Sequence, residues 1–140
     1  MTDNSVISIV HASAEEYIWE NNSGSFPAIR VSFKLSEVPN DYWKQKMNER
    51  LNFQFFRLSA VLNDDVLYVH MYYYDTLEYY LGQVQKLIRR CNQEWKNQVE
   101  RRIADEAKIT KSASLSPEQR QRCLENVQSE LKTTNFKEGM

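Results

Sequence analysis

One long stretch, from Tyr72 to Ile109, constrains the fold more than any other part of the sequence. Apolar side chains recur along it at alternating spacings of four and three residues, which places them on one side of an α-helix. They are Leu77, Leu81, Val84, Ile88, Cys91 and Trp95. The opposite side carries polar residues such as Lys86 and Arg90, so we expect a long helix that packs on a sheet through one side. Asp75, with Glu78 three residues later, is predicted to cap its start.

Strand patterns come before this helix. A first strand is predicted at Val6–Val10, and it resumes at Tyr17–Trp19 after a bulge or an interruption around Ala12–Glu16. Residues 21–24, Asn-Asn-Ser-Gly, have the composition of a turn. The next strand has the clearest alternation, which is typical of a sheet that is covered on one face only. Its apolar members are Ile29, Val31, Phe33 and Leu35.

The middle of the chain predicts a short helix and a second hairpin. Asn40 or Asp41 is suited to cap a helix that continues to about Leu51. Phe53–Leu62 and Val66–Tyr74 are then predicted strands, joined by a tight turn at Asn63–Asp65 whose residues tolerate positive φ.

The resulting element order is ββαββα, which predicts an α+β fold with a four-stranded antiparallel sheet and the long helix on one face. That helix would reach about 50 Å whereas the strands span about 20 Å, so its far half must extend beyond the sheet. Ser116 and Pro117 start a further helix, predicted to cover this overhang as a helical hairpin, although a second subunit would cover it equally well. The expected hairpin contacts are those of Val99, Ile103 and Ala107 with Leu124, Val127 and Leu131.

Length and composition bound the class of protein. The 140 residues suit a single domain, with residues 1–110 as the α+β part, 111–133 as the C-terminal helix and 134–140 as a frayed tail. A formal charge of −1 argues against binding duplex DNA mainly by phosphate neutralisation. Two cysteines without a CxxC spacing, and no signal-peptide pattern, predict a reduced protein of the cytoplasm.

No residue pattern predicts catalysis. The only histidines, His11 and His70, lie in predicted strands and would meet only if those strands were neighbours. There is no GxSxG elbow, and Cys91 falls on the apolar side of the long helix, where a packing role is expected. Three scattered glycines cannot form a phosphate-binding loop. We therefore expect no enzyme activity, no cofactor and no metal site.

The open face of the predicted sheet is the candidate binding surface. Aromatic rings beside cations hold single-stranded nucleic acid in some proteins, whereas tyrosine and arginine are also enriched at protein interfaces. The predicted surface residues are Arg30, Lys34, Arg57, Tyr68, His70 and Tyr72. The leading interpretation is a non-enzymatic adaptor, inhibitor or immunity-type protein that binds another protein, or a second copy of itself, through this face or the overhanging helices. Single-stranded nucleic acid is the alternative ligand.

Several short motifs carry a resemblance. They are Leu35-Ser-Glu-Val-Pro39, followed by Trp43, and Arg90-Cys91-Asn92, followed by Trp95. Over residues 28–96 the chain resembles a family of small bacterial α+β proteins of unknown function. The resemblance implies the α+β class and brings no activity, cofactor or catalytic residue with it.

Overall fold

The computed structural model describes residues 1–54 and 60–134. The elements there are β1 (Ile9–Asn21), β2 (Gly24–Leu35), α1 (Asp41–Gln54), β3 (Ala60–Asn63), β4 (Val66–Met71), α2 (Leu77–Ser114) and α3 (Pro117–Thr133). The strands form one antiparallel sheet in the order β1-β2-β4-β3, which confirms the predicted α+β class and antiparallel sheet. Residues 55–59, part of the predicted strand Phe53–Leu62, lie outside the described residues. The chain divides into two compact units, Met1–Val99 and Glu100–Met140.

Turn chemistry fixes both hairpins. Gly24 has a φ of +116°, a value that residues with a Cβ rarely adopt, and it lies opposite Asn21 at the end of the β1–β2 hairpin. Asp64 has a φ of 52° in the turn between β3 and β4, as predicted for that turn. β1 runs without a break, and its register shifts between Ile9 and His11. The predicted bulge or interruption around Ala12–Glu16 is therefore wrong in position, because the strand is regular there and the irregularity lies before it.

The alternation along β2 and β4 gives the sheet an inner face and an outer face. Six inner-face side chains are at most 4% exposed: Val31, Phe33, Leu35, Leu67, Val69 and Met71. They form one hydrophobic core with Trp43, Met47 and Leu51 of α1 and with the buried residues of α2. Tyr73, which would continue the inner-face alternation of β4, is 49% exposed because β4 ends at Met71.

Helix α1 begins as the sequence predicts. The side-chain oxygen Oδ1 of Asn40 accepts the backbone N–H of Trp43 at 3.0 Å, which satisfies one of the free donors of the first turn. This cap holds Trp43, which is fully buried, at the start of the helix.

Helix α2 packs on the sheet through a stripe that starts later than predicted. Its buried residues are Val84, Leu87, Ile88, Cys91, Trp95 and Val99. Lys86 and Arg90 are exposed, as expected. Leu77 is 49% exposed and Leu81 only half-buried, since the facing residues of β1, Ala12 and Ala14, are too short to fill the space beneath them.

The predicted cap of α2 by Asp75 is also wrong. The carboxylate of Asp75 accepts the backbone N–H of Tyr72 at 2.8 Å, and the N–H of Asp75 donates to the Tyr72 carbonyl at 3.0 Å. Asp75 therefore closes the turn between β4 and α2, and the helix begins two residues later. Burial first, and then a hydrogen bond with Asp75, raise the pKa of Tyr80 to about 12.

The side-chain amide of Asn92 joins three parts of the fold. Its Oδ1 accepts the backbone N–H of Ile7 at 3.0 Å and the indole N–H of Trp43 at 3.1 Å. Its Nδ2 donates to the carbonyl oxygen of Ile7 at 2.8 Å. One turn further along, the indole N–H of Trp95 donates to the carbonyl of Thr2 at 3.1 Å. These hydrogen bonds connect the segment before β1 with α2. Asn92 also connects α2 with α1 through the indole of Trp43.

The described residues of the unit that begins at Glu100 form a well-capped helix but no core. Ser116 accepts the N–H of Gln119 at 3.2 Å, and Gln119 accepts the N–H of Ser116 at 2.9 Å, so the predicted helix start is confirmed. No side chain between Glu100 and Thr134 is buried, and five large apolar residues of this stretch are at least half exposed: Ile103, Ile109, Leu124, Val127 and Leu131. The predicted hairpin packing, which requires these residues to be buried, is therefore wrong. The apolar periodicity predicted the amphipathic helix correctly, but it did not show which surface the apolar side of that helix contacts.

Asn92→Ala is expected to lower the free energy of unfolding by about 3 kcal/mol, because it leaves the buried Trp43 indole and the Ile7 backbone without hydrogen-bond partners. Gln93→Ala, the neighbouring exposed position, should change it by less than about 0.5 kcal/mol. Chemical denaturation of the two variants measures the difference. Equal midpoints for the two variants would show that the amide contacts contribute little.

Deletion of residues 116–140 should leave the unfolding midpoint of the remaining chain unchanged. The hydrophobic core described for the chain includes no residue beyond Val99. Thermal unfolding followed by circular dichroism tests this expectation. A marked fall in the midpoint would mean that α3 stabilises the core unit after all.

Candidate interaction surface on the outer face of the sheet

Cross-strand pairing brings most of the predicted surface residues together. Arg30 lies opposite His70 on β4, Ser32 lies opposite Tyr68, and all four point away from the core. Lys34 follows on the same face of β2, and Tyr72 lies just beyond the end of β4. Arg57 lies outside the described residues. The structure thus assembles five of the six predicted residues on or beside the outer face: Arg30, Lys34, Tyr68, His70 and Tyr72.

Arg30 is held in place by a carboxylate and two rings. Its Nε donates to Oε1 of Glu15 at 2.8 Å, and its Nη2 donates to the same oxygen. The guanidinium carbon lies 5.3 Å from the ring centre of Tyr68 and 5.8 Å from that of Tyr17, within the range of cation–π attraction. The hydrogen bond with Glu15 raises the pKa of Arg30 above its ordinary value. Arg30 is therefore a fixed, paired cation.

Five rings on this face form what we call the aromatic cluster: Tyr17, Trp19, Phe26, His70 and Tyr72. The rings of Phe26 and Tyr72 are stacked, with centres 5.7 Å apart and planes inclined by 13°. Trp19 contacts both, at 5.6 Å from Phe26 and 5.3 Å from Tyr72. Tyr72 is 41% exposed, and Trp19 and Phe26 are partly exposed. The cluster is thus a preformed apolar surface open to solvent.

Two polar atoms are buried within the cluster. The rings of Tyr17 and His70 lie 4.7 Å apart, and neither the Tyr17 hydroxyl nor Nδ1 of His70 has a hydrogen-bond partner among the described residues. Burial, followed by repulsion from Arg30, lowers the pKa of His70. Burial raises the pKa of Tyr17, although Arg30 opposes this shift. Both rings are therefore kept neutral at physiological pH.

A second cation that the structure describes on this face is also paired. Lys34 forms an ion pair with Asp65, which lies in the β3–β4 turn. The hydrogen bond with Lys34 holds the pKa of Asp65 below its usual value. Since Arg30 pairs with Glu15 and Lys34 with Asp65, the positive charge that the described residues place on the outer face is balanced locally.

Four residues of this surface are absent from the sequence prediction: Glu15, Tyr17, Trp19 and Phe26. The signal lies in the hairpin register. The turn at residues 22–23 sets Trp19 opposite Phe26 and Glu15 opposite Arg30, which places β1 side chains on the outer face. The expected interruption of β1 concealed this alternation.

The remaining candidate groups are not brought together. His11 on β1 lies opposite Lys34, whereas His70 is on β4, and β2 separates the two strands. Within residues 1–54 and 60–134, no group of three His, Cys, Asp or Glu side chains is placed to hold a metal ion. Cys91 is buried, and burial raises the pKa of its thiol to about 11, which suits the packing role expected for it.

No protein-family model, no curated protein and no solved structure matches the chain. None of the helices in the described part of the chain has both the length and the apolar character that a bilayer crossing requires. The resemblance to small bacterial α+β proteins stays a prediction. The residues that carry it are structural in this chain, since Leu35, Trp43 and Cys91 are core residues and Asn92 and Trp95 bind the segment before β1.

The stability of the chain should fall as the pH is lowered from neutral to mildly acidic values. The pKa of His70 in the folded state lies below its ordinary value of 6.5, so the unfolded chain binds this proton more tightly. The contribution of neutral His70 is therefore complete above pH 6.5 and is lost as the pH falls through the folded-state pKa. His70→Phe should flatten this slope in denaturation curves, whereas His11→Gln should not. An unchanged slope in His70→Phe would contradict the burial of His70.

Proposed function

We propose that this chain is a protein-protein interaction module without catalytic activity, and that the outer face of the sheet is its binding surface. The observation that carries the proposal is the aromatic cluster, a set of mutually packed and partly exposed rings on the outer face of the sheet. Partly exposed Trp and Tyr residues supply large apolar area with few rotatable bonds, which is why they dominate the binding energy of protein interfaces.

A protein partner suits this surface better than single-stranded nucleic acid. A strand of nucleic acid needs unpaired cations for its phosphates and free ring faces for its bases. Here Arg30 and Lys34 are each paired with a carboxylate, and Phe26 and Tyr72 stack on each other. The pairing of the cations and the stacking of the rings both weaken the expected binding of a polyanion. Neither feature hinders an apolar contact with a protein.

An adaptor, inhibitor or immunity-type role fits a small chain of this kind. This role, an origin in bacteria or phage, and a cytoplasmic location all stay predictions. The outer face can act in any of these roles because binding alone is required of it.

Trp19→Ser combined with Tyr72→Ser should weaken capture of the partner, and circular dichroism must show that the variant folds because Trp19 also packs against the core. Tagged chains are used as bait in a lysate of the source cells, the captured proteins are quantified by mass spectrometry, and the binding of the purified partner is then measured. The double variant should bind it at least about tenfold more weakly, as expected when anchor residues are removed. Tyr74→Ser is the matched control, since Tyr74 is fully exposed outside the cluster.

Two outcomes would overturn the proposal. One is a double variant that keeps its fold, as shown by circular dichroism, and also keeps every captured protein. The other is binding of labelled oligo(dT) or oligo(U) that depends on Trp19 and Tyr72 and weakens steeply with added salt. That result would establish the nucleic-acid alternative.

A further inference from the structure

Strand β1 forms one edge of the sheet. It is 13 residues long, it pairs with β2 on one side, and no described residue pairs with its other side. An edge of this length presents a row of backbone N–H and C=O groups to any other strand, and natural proteins protect such edges with charged residues, proline or bulges. The manner in which β1 is protected therefore shows where it can pair.

The protection of β1 is uneven. Glu15, Glu16 and Glu20 place carboxylates along the second half of the strand. The stretch His11–Ala14, which follows the register shift between Ile9 and His11, carries no carboxylate, lysine or proline, and all of its residues are exposed. Three of them, Ala12, Ser13 and Ala14, are small enough to let another strand approach closely. This stretch is the open part of the edge.

An apolar groove lies beside the open stretch on the inner face. Its volume is about 230 Å³, and its walls are formed by Ala12 and Ala14 of β1 and by Leu77 and Leu81 at the start of α2, with Ile9 at one end. Leu77 is 49% exposed there. The groove gives the edge an apolar flank that the chain itself does not cover.

We propose that β1 pairs antiparallel with β1 of a second copy of this chain, with the two-fold axis at Ser13. The four strands of each copy would then form one continuous sheet of eight strands. A contact of this kind is isologous, so the same surface serves both copies and the assembly closes as a dimer. It uses the edge of the sheet and is independent of the outer-face binding proposed above.

The charges along β1 favour this axis over one at Glu15 or Glu16. In a continuous sheet, paired residues must lie on the same face, so the axis passes through a residue of β1. An axis at Glu15 or Glu16 would set a carboxylate against its own copy, which is unfavourable. An axis at Ser13 sets His11 opposite Glu15 of the second copy, twice, and Ala12 opposite Ala14. Glu15 can accept a hydrogen bond from His11 of the second copy and still accept the one from Arg30, because a carboxylate has several lone pairs.

The same axis brings the two grooves together. A two-fold axis perpendicular to the sheet keeps both inner faces on one side, so the groove of each copy adjoins that of the other. The small side chains of Ala12 and Ala14 separate the two Leu77 residues. Edge pairing at any position would satisfy backbone hydrogen bonds. Pairing at this axis would in addition cover the apolar surface of the two grooves.

Cross-linking tests the axis directly. In a Cys123→Ser background, Ser13→Cys places the two introduced thiols opposite each other. Their Cα atoms would lie about 4.5–5.5 Å apart, which falls within the range of about 4.4–6.8 Å that disulfides require. Mild oxidation at micromolar chain concentration should convert most of this variant to a covalent dimer. Glu20→Cys is the matched control on the same edge, seven residues from the axis, and should form no covalent dimer.

Sedimentation of the chain without introduced cysteines completes the test. It should be a dimer, and Ser13→Lys, which sets two like charges at the axis, should convert it to a monomer with an unchanged circular dichroism spectrum. A monomeric parent chain would overturn the proposal. So would equal cross-linking of Ser13→Cys and Glu20→Cys, or a dimer that Ser13→Lys leaves intact, since each would place any association elsewhere.

Discussion

The side-chain amide of Asn92 is the constraint on which the arrangement of the Met1–Val99 unit depends. Apolar contacts between α2 and the sheet are not directional, so they permit rotation and sliding of the helix. The three hydrogen bonds of Asn92 are directional, and they connect α2 with the backbone at Ile7 and with the indole of Trp43. One polar side chain therefore sets where α1 lies and where the chain enters β1, and its loss would leave buried donors without partners.

The outer face follows from this arrangement because the buried core residues of β2 and β4 lie on the inner one. Its aromatic cluster includes two buried polar atoms, on Tyr17 and His70, whose lack of partners lowers the stability of the free chain. The pairing of Arg30 with Glu15 keeps the surface close to neutral. A rigid, apolar and electrically balanced surface suits a protein partner because few groups must be ordered or stripped of water when it binds.

Sequence reasoning was most successful where a periodic pattern had a single interpretation. The alternation in β2 gave both faces of the sheet, and Ser116 with Gln119 gave the start of α3. It failed where the outcome depended on residues distant in the chain. The burial of Leu77 depends on the size of the facing alanines of β1, which no pattern within α2 reveals. Trp19 and Phe26 joined the candidate surface only through the register of their hairpin, and Asp75 was the best local cap but serves the preceding turn.

The two proposed surfaces lie on one sheet, and their geometry has a consequence for binding. The two-fold axis at Ser13 keeps both outer faces on the same side, so a dimer would present two aromatic clusters in one surface. Trp19 lies six residues from the axis in each copy, which puts the two clusters about 40 Å apart along the paired strands at the usual rise per residue. A partner that is itself two-fold symmetric, or that carries two sites at this spacing, would bind both clusters at once. The second contact would then form at a high effective concentration, and a modest affinity at each cluster would give tight binding overall.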